Sequence, residues 1–253
     1  MIDTHCHLYL KEFDADLKEV LNRAIDAGVS HFFLPAIDMS HTPDMDRLEG
    51  NHKGVCIAMA GLHPCSVNEN YREEIAHIKH KLSQRKYCAI GETGLDFYWD
   101  KTFINEQYQA LEVQISIALE YDLPLILHTR NATQETIDII NKYKGSGLTG
   151  IFHCFGGTLA EARQIIDLGF FIGIGGVLTY KNSRLAEVLS EIDMQHIVLE
   201  TDSPYLAPIP FRGKRNESSY LKYVAEKLAL IKNMSVEEVE KITDTNAKKI
   251  FRL

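Results

Sequence analysis

Short apolar runs rich in β-branched and aromatic residues alternate with longer stretches of helical period along this chain. The runs fall at 2–7, 31–36, 55–62, 87–92, 123–128, 148–153, 170–173 and 197–202. Between them lie helical patterns over 15–26, 42–51, 71–84, 102–121, 133–144, 159–168 and 183–191, and two more, 218–232 and 235–251, close the chain. The last opens Ser235-Val236-Glu237-Glu238, the signature of a capping box. Strand and amphipathic helix in strict alternation is the pattern of βα units feeding a parallel sheet. Eight such units predict an α/β fold of the TIM (β/α)8 barrel type.

The 253 residues, 45% hydrophobic and 25% charged, are enough for one large core, and barrels of about 250 residues commonly form one domain, so residues 1–253 are expected to fold as one. No low-complexity segment or linker interrupts the period, and the longest irregular piece is 203–217. No run of about 18 uncharged apolar residues exists, and the N-terminus begins with Asp3 and His5 instead of a basic and then apolar leader, so no membrane association or export is expected. Five cysteines without a Cys-x-x-Cys spacing suit free thiols and a cytoplasmic location. The net charge of -8 argues against tight non-specific binding to duplex nucleic acid.

Metal-ligand side chains recur where these runs end: His5 and His7, Glu92, His128, His153 and Asp202. A barrel gathers the ends of its strands on one rim, so ligands far apart in sequence can converge there. Asp3, His5 and His7 are two apart and would share one strand face, letting two imidazoles hold one ion. Glu92 is a carboxylate delivered by an apolar run; it needs a counter-charge, and one carboxylate can bridge two ions. In the last strand Glu200 and Asp202 share a face, with Asp202 nearer the rim as ligand and proton acceptor and Glu200 as a supporting carboxylate. His63, after the third strand, could bind substrate or protonate a leaving group. His31, His41, His52, His77, His80 and His196 lie at strand starts, on helices or in polar loops and read as surface or capping residues.

With these residues in hand, the sequence resembles the TatD family of metal-dependent deoxyribonucleases, within the amidohydrolase superfamily. The matching motifs are His5-Cys6-His7, Gly61-Leu62-His63-Pro64, Ile90-Gly91-Glu92-Thr93-Gly94-Leu95-Asp96, His128-Thr129-Arg130, His153-Cys154-Phe155, Glu200-Thr201-Asp202-Ser203-Pro204-Tyr205-Leu206 and Arg212-Gly213-Lys214-Arg215-Asn216-Glu217. The resemblance implies two divalent cations (Mg, Mn or Zn), one near His5, His7 and Asp202, the other near His128 and His153, with Glu92 shared. Two positions depart from the family pattern: Asn131, where many members carry Asp, and Phe211, where a His often precedes Arg-Gly-Lys-Arg.

The implied activity is metal-dependent cleavage of phosphodiester bonds in DNA, as a 3′-5′ exonuclease preferring single strands or strand ends, with no stable protein partner implied. Glu92 and Asp202 would be the catalytic carboxylates. Arg130 and the loop cations Arg212, Lys214 and Arg215 would meet phosphates, and Tyr98 with Trp99 would stack on an unpaired base. The same barrel in other hands hydrolyses esters and amides, including D-aminoacyl-tRNA. A carboxylated lysine often bridges the metals there, whereas this chain has Glu92. A barrel that had lost catalysis would lack ligands, and all six are here.

Overall fold

The computed structural model describes residues 1–253. Eight parallel strands are β1 (Ile2–Asp3), β2 (His31–Leu34), β3 (Cys56–Ala58), β4 (Ile90–Asp96), β5 (Leu125–Arg130), β6 (Gly150–Phe152), β7 (Phe170–Ile174) and β8 (Ile197–Leu199). The helices are α1 (Leu17–Asp26), α2 (Thr42–Asn51), α3 (Tyr71–Gln84), α4 (Ile104–Glu120), α5 (Thr133–Asn141), α6 (Leu159–Asp167), α7 (Leu185–Ser190), α8 (Leu221–Lys232) and α9 (Val236–Phe251). Strands β1 to β3 pair in sequence order, as do β4 to β8. Two seams close the ring: Ala60 bridges to Ile90, and Cys6 bridges to Ser203, beside the bond from the Asp202 amide to the His5 carbonyl at 2.9 Å. The fold is thus the α/β barrel that the periodicity predicts.

Two apolar layers hold the barrel. One lies between strands and helices. The other fills the bottom of the ring, where Ile2, Phe33, Met59, Ala89, Ile126, Ile151, Phe171 and Val198 point inward and α9 plugs the opening with Ala247, Ile250 and Phe251. Phe251 stacks on Phe33 with ring centroids 3.8 Å apart. In β5 and β6 the residue two places beyond this floor is His128 or His153, because side chains on one strand face recur every second residue. The apolar floor and the polar rim are consecutive layers of one interior.

Strand β4 departs from the expected 87–92 in an informative way. It runs on to Asp96, and between Ile90 and Thr93 its register against β5 slips, three steps of β4 spanning two of β5. Ala89 faces the barrel floor and Ile90 the helices, so simple alternation would turn residue 92 outward. The extra residue of the bulge turns Glu92 into the ring instead. Glycine is needed here: a Cβ on Gly91 would lie 2.6 Å from the Ile126 Cβ, and one on Gly94, whose φ is +141°, 2.0 Å from the His128 carbonyl oxygen. Helix α4 then clamps the strand from outside through two residues seven apart. Gln114 donates to Thr93 Oγ1 at 2.6 Å, and Gln107 accepts from the Asp96 amide at 2.9 Å.

Strand β1 differs as well. The expected strand 2–7 is regular only over Ile2–Asp3, then bends at Thr4–His5. Asp3 does not share the cleft with the two histidines: its carboxylate accepts from the Thr201 amide at 2.9 Å and the Thr201 hydroxyl at 2.7 Å. Strand β8 likewise ends at Leu199, and the chain leaves it through Asp202 at a φ of 56°, a left-handed turn that Asp tolerates better than most residues.

Candidate metal centre

At the C-terminal rim of the strands, Glu92 lies buried with five imidazoles around it. Its Oε2 is 3.0 Å from His5 Nε2 and 3.5 Å from His7 Nε2; its Oε1 is 2.9 Å from His128 Nδ1 and 3.3 Å from both His153 Nε2 and His63 Nε2. One carboxylate oxygen therefore serves each half of the cluster. Asp202 Oδ1 stands over the first half, 3.8 Å from His5 Nε2 and 3.6 Å from His7 Nε2. Three overlapping groups have donor atoms within 4.8 Å of one another: His5, His7 and Glu92; His5, His153 and Asp202; and His63, Glu92 and His128.

The outward hydrogen bonds decide what each imidazole can do. Tyr9 donates its hydroxyl to the Pro35 carbonyl at 2.6 Å, so its oxygen accepts from His7 Nδ1 at 2.9 Å. Glu200 Oε1 accepts from His153 Nδ1 at 3.1 Å and from the Cys154 amide at 2.6 Å. Asp96 Oδ2 accepts from His128 Nε2 at 2.9 Å while its Oδ1 accepts from the Tyr98 and Trp99 amides. Each outer nitrogen thus holds a proton, which leaves the inner nitrogen able to offer its lone pair to a cation. Such outer partners fix the tautomer of metal-binding histidines.

His63 is built the other way round. Its Nδ1 accepts from the Cys65 amide at 3.0 Å, so the ring proton sits on Nε2 and points at Glu92. A nitrogen that carries a proton has no lone pair to give a cation. Distance alone would admit His63 to a metal cluster; its hydrogen bond makes it a donor instead.

Lone pairs converging on a carboxylate repel unless a cation or protons lie between them. Without a cation the rings respond unequally. Burial opposes charging His128 and His153, yet Asp96 and Glu92 hold His128 above its ordinary value, and Glu200 and Glu92 raise His153 well above its own. Burial and the neighbouring His153 push His5, stacked on that ring at 3.6 Å, well below its ordinary value. Burial raises Asp202 to about 6 against the pull of His153 and His7. The Nδ1 of His5 is buried with no partner. A largely buried set of two carboxylates and inward-facing imidazoles fits divalent cations well.

The cleft above this centre has a volume of about 820 Å³. Among the residues expected to bind substrate, Arg130, Arg212 and Lys214 line it together with His63, whereas Tyr98 lies just outside. The Arg130 guanidinium covers the Tyr98 ring at 4.0 Å and the Trp99 ring at 5.1 Å, and Trp99, 66% exposed, forms a shelf on the cleft wall. Arg215 faces elsewhere. Both its terminal nitrogens bond Asp16 at 2.7 Å, and it packs over Phe13, tying the loop after β8 to the segment before α1. Asn131 takes a left-handed backbone beyond β5, and Phe211 stacks on Tyr220 at 4.1 Å. Asp96 and Tyr9 were not among the candidates from sequence. The signal for Asp96 was its place four residues beyond Glu92, on the same face of an extended strand.

A parallel barrel that collects buried imidazoles and carboxylates at the C-terminal ends of its strands has the arrangement of a metal-dependent hydrolase. Within that class the chain belongs to the TatD family: the family model described as "TatD related DNase" matches residues 2–252. The metal-dependent hydrolase YabD of Bacillus subtilis, itself uncharacterized, is 39% identical over 100% of this chain and 99% of its own. A 3′-5′ ssDNA/RNA exonuclease TatD of Pantoea ananatis is 30% identical over 100% of both chains. The crystal structure of the TatD homologue YjjV of Escherichia coli K12 superposes with a TM-score of 0.94 at 28% identity, covering 100% of this chain and 98% of that one. No helix is long and apolar enough to cross a membrane.

Proposed function

We propose that this protein is a divalent-metal-dependent phosphodiesterase that trims single-stranded DNA from its 3′ end. The observation that carries the reading is the division of Glu92 between two sets of imidazoles, beneath a cleft walled by Arg130, Trp99, Arg212 and Lys214. His5, His7 and Asp202 would hold one cation, His128 and His153 the other, and Glu92 both, as the distances from its two oxygens suggest. When bound, such a pair polarises a phosphodiester and favours deprotonation of an attacking water.

The chain's own groups do the rest. Asp202, at the rim with its carboxylate toward the cleft, accepts the proton that water loses as its oxygen bonds to phosphorus and the bond to the leaving oxygen breaks. His63 donates a hydrogen bond from Nε2 to an oxygen on which negative charge grows. Full transfer of that proton would leave a neutral ring as an anion, so the leaving oxygen takes its proton from solvent. Arg130 and Lys214 neutralise phosphates, and the Trp99 shelf offers a stacking face to an unpaired base. A cleft with few cations in an acidic protein suits one strand better than a duplex.

Purified protein should cut single-stranded DNA, release mononucleotides from the 3′ end, and lose activity in EDTA, with Mg, Mn, Zn and Co tested in turn. Inertness toward single strands with every ion overturns the proposal. Cleavage of a D-aminoacyl ester with no cleavage of phosphodiesters would move the assignment to an esterase.

A further inference from the structure

A second cavity, of about 1060 Å³, opens on the same face beyond the wall of the metal cleft. The two share Tyr180 and Arg212. The Arg212 guanidinium lies over the Tyr180 ring at 4.6 Å, and the Tyr180 hydroxyl donates to the Ala207 carbonyl at 3.0 Å, so the pair makes a fixed saddle between the cavities. Past the saddle the walls are apolar, with Leu159, Val177, Val188 and Ile209, and the edge carries the unpaired cation Lys181 in addition to Arg212 of the saddle. The one acid there, Glu187, is engaged by Arg184 at 3.4 Å. In a chain of net charge -8, an apolar trough edged with cations is complementary to stacked bases on a phosphate backbone. Each cavity has the size of a complete small-molecule site, about 300–1000 Å³, so the two in series suit several residues of a polymer.

We propose that this groove carries the nucleotides of a single strand that lie beyond the bond being cut, the chain crossing the Tyr180–Arg212 saddle to reach it. The inference rests on the phosphodiesterase reading above, and its test separates the two. Gly156 lines the groove; a Cβ there would meet nothing within 4 Å, so Gly156→Phe fills the trough without a backbone clash. Lys181→Glu reverses the edge charge at an exposed residue on a different segment.

Steady-state kinetics of the metal-loaded protein would compare bis(p-nitrophenyl) phosphate, a thymidine dinucleotide and a dodecathymidylate. Binding would be read separately by anisotropy of a labelled phosphorothioate dodecathymidylate. In the parent, KM should fall about fivefold or more from dinucleotide to dodecamer, as one or more stacked bases are added. Each variant should return the dodecamer KM toward the dinucleotide value, leave kcat and both short substrates unchanged, and weaken phosphorothioate binding. Lys181→Glu should also lower the salt dependence of binding by about one phosphate contact. A KM independent of length in the parent, or variants that affect short and long substrates alike, overturns the groove. If no phosphodiester is cut at all, the phosphodiesterase reading falls. The groove then survives only if the phosphorothioate strand binds and both variants weaken it, and falls if they do not.

Discussion

Replacing Asp96 by Asn tests whether hydrogen bonds outside the cluster set its affinity for cations. The amide is nearly the same shape. Its oxygen can keep the bonds from the Tyr98 and Trp99 amides at 2.9 and 3.0 Å, so the loop after β4 should hold. The other end changes sign: an NH2 group replaces the oxygen that accepts from His128 Nε2 at 2.9 Å. Two donors cannot face each other, so the ring must move its proton to Nδ1, the nitrogen 2.9 Å from Glu92 Oε1, and the inward lone pair is lost. Loss of such an outer partner typically costs 10- to 100-fold in metal affinity, or about 1.4–2.7 kcal/mol. With ion in excess over Kd in both proteins, the stabilisation by metal falls by the same amount. For a chain of this size the metal-induced rise in Tm should then be about 3–10 °C smaller than in the parent. The assay is thermal unfolding with and without Mn or Zn, paired with calorimetric titration. The metal-dependent increment is the quantity of interest, since the substitution can shift the metal-free Tm by itself. Equal increments and equal affinities would refute the reasoning and make Asp96 merely a loop cap.

Three further outcomes follow from the geometry. Removing the Nε2 donor by His63→Ala should lower kcat about 10²–10³-fold while metal stoichiometry stays at the parent value, and loss of bound metal would show that His63 is a ligand after all. Phe251→Ala empties the barrel plug that stacks on Phe33 and should cost about 3–5 kcal/mol in denaturant unfolding; a cost below about 1 kcal/mol would mean that α9 does not close the core. Burial tends to raise Glu217, but the bonds from Arg23 and Ser219 more than offset this and hold it below its ordinary value of 4.5. A carboxyl depressed in the folded state stabilises at pH above its unfolded value and stops doing so as pH falls through the folded one. Glu217→Gln should therefore be less stable than the parent at pH 7, with the two unfolding curves converging below about pH 4; a gap that persists at acid pH would contradict this.

Much of the site was written in one dimension. A floor of apolar residues with an imidazole two places further on, as in Ile126 to His128 and Ile151 to His153, is local arithmetic of an extended strand, so the strands and the side chains of the rim cluster are legible in the sequence. Where the strand is irregular that arithmetic fails. Ending β4 at Glu92 hid Asp96, because the glycines at 91 and 94 resemble a strand end and only the bulge against β5 shows that pairing continues. Asp3 has the spacing of an inward residue yet turns to Thr201 across the seam, since β1 bends after it.

The cations of the loop after β8 show the same boundary. Arg212, Lys214 and Arg215 are equivalent on paper, but Asp16, almost two hundred residues earlier, captures Arg215 and leaves the other two on the cleft wall. The sequence by itself determined the barrel and the identity of its rim donors, because periodicity and side-chain chemistry are properties of neighbours along the chain. Tertiary structure alone decided which nitrogen of each histidine keeps its proton, which cations face the cleft and how α9 seals the floor. Those depend on partners brought together by folding, and no spacing along one strand encodes them.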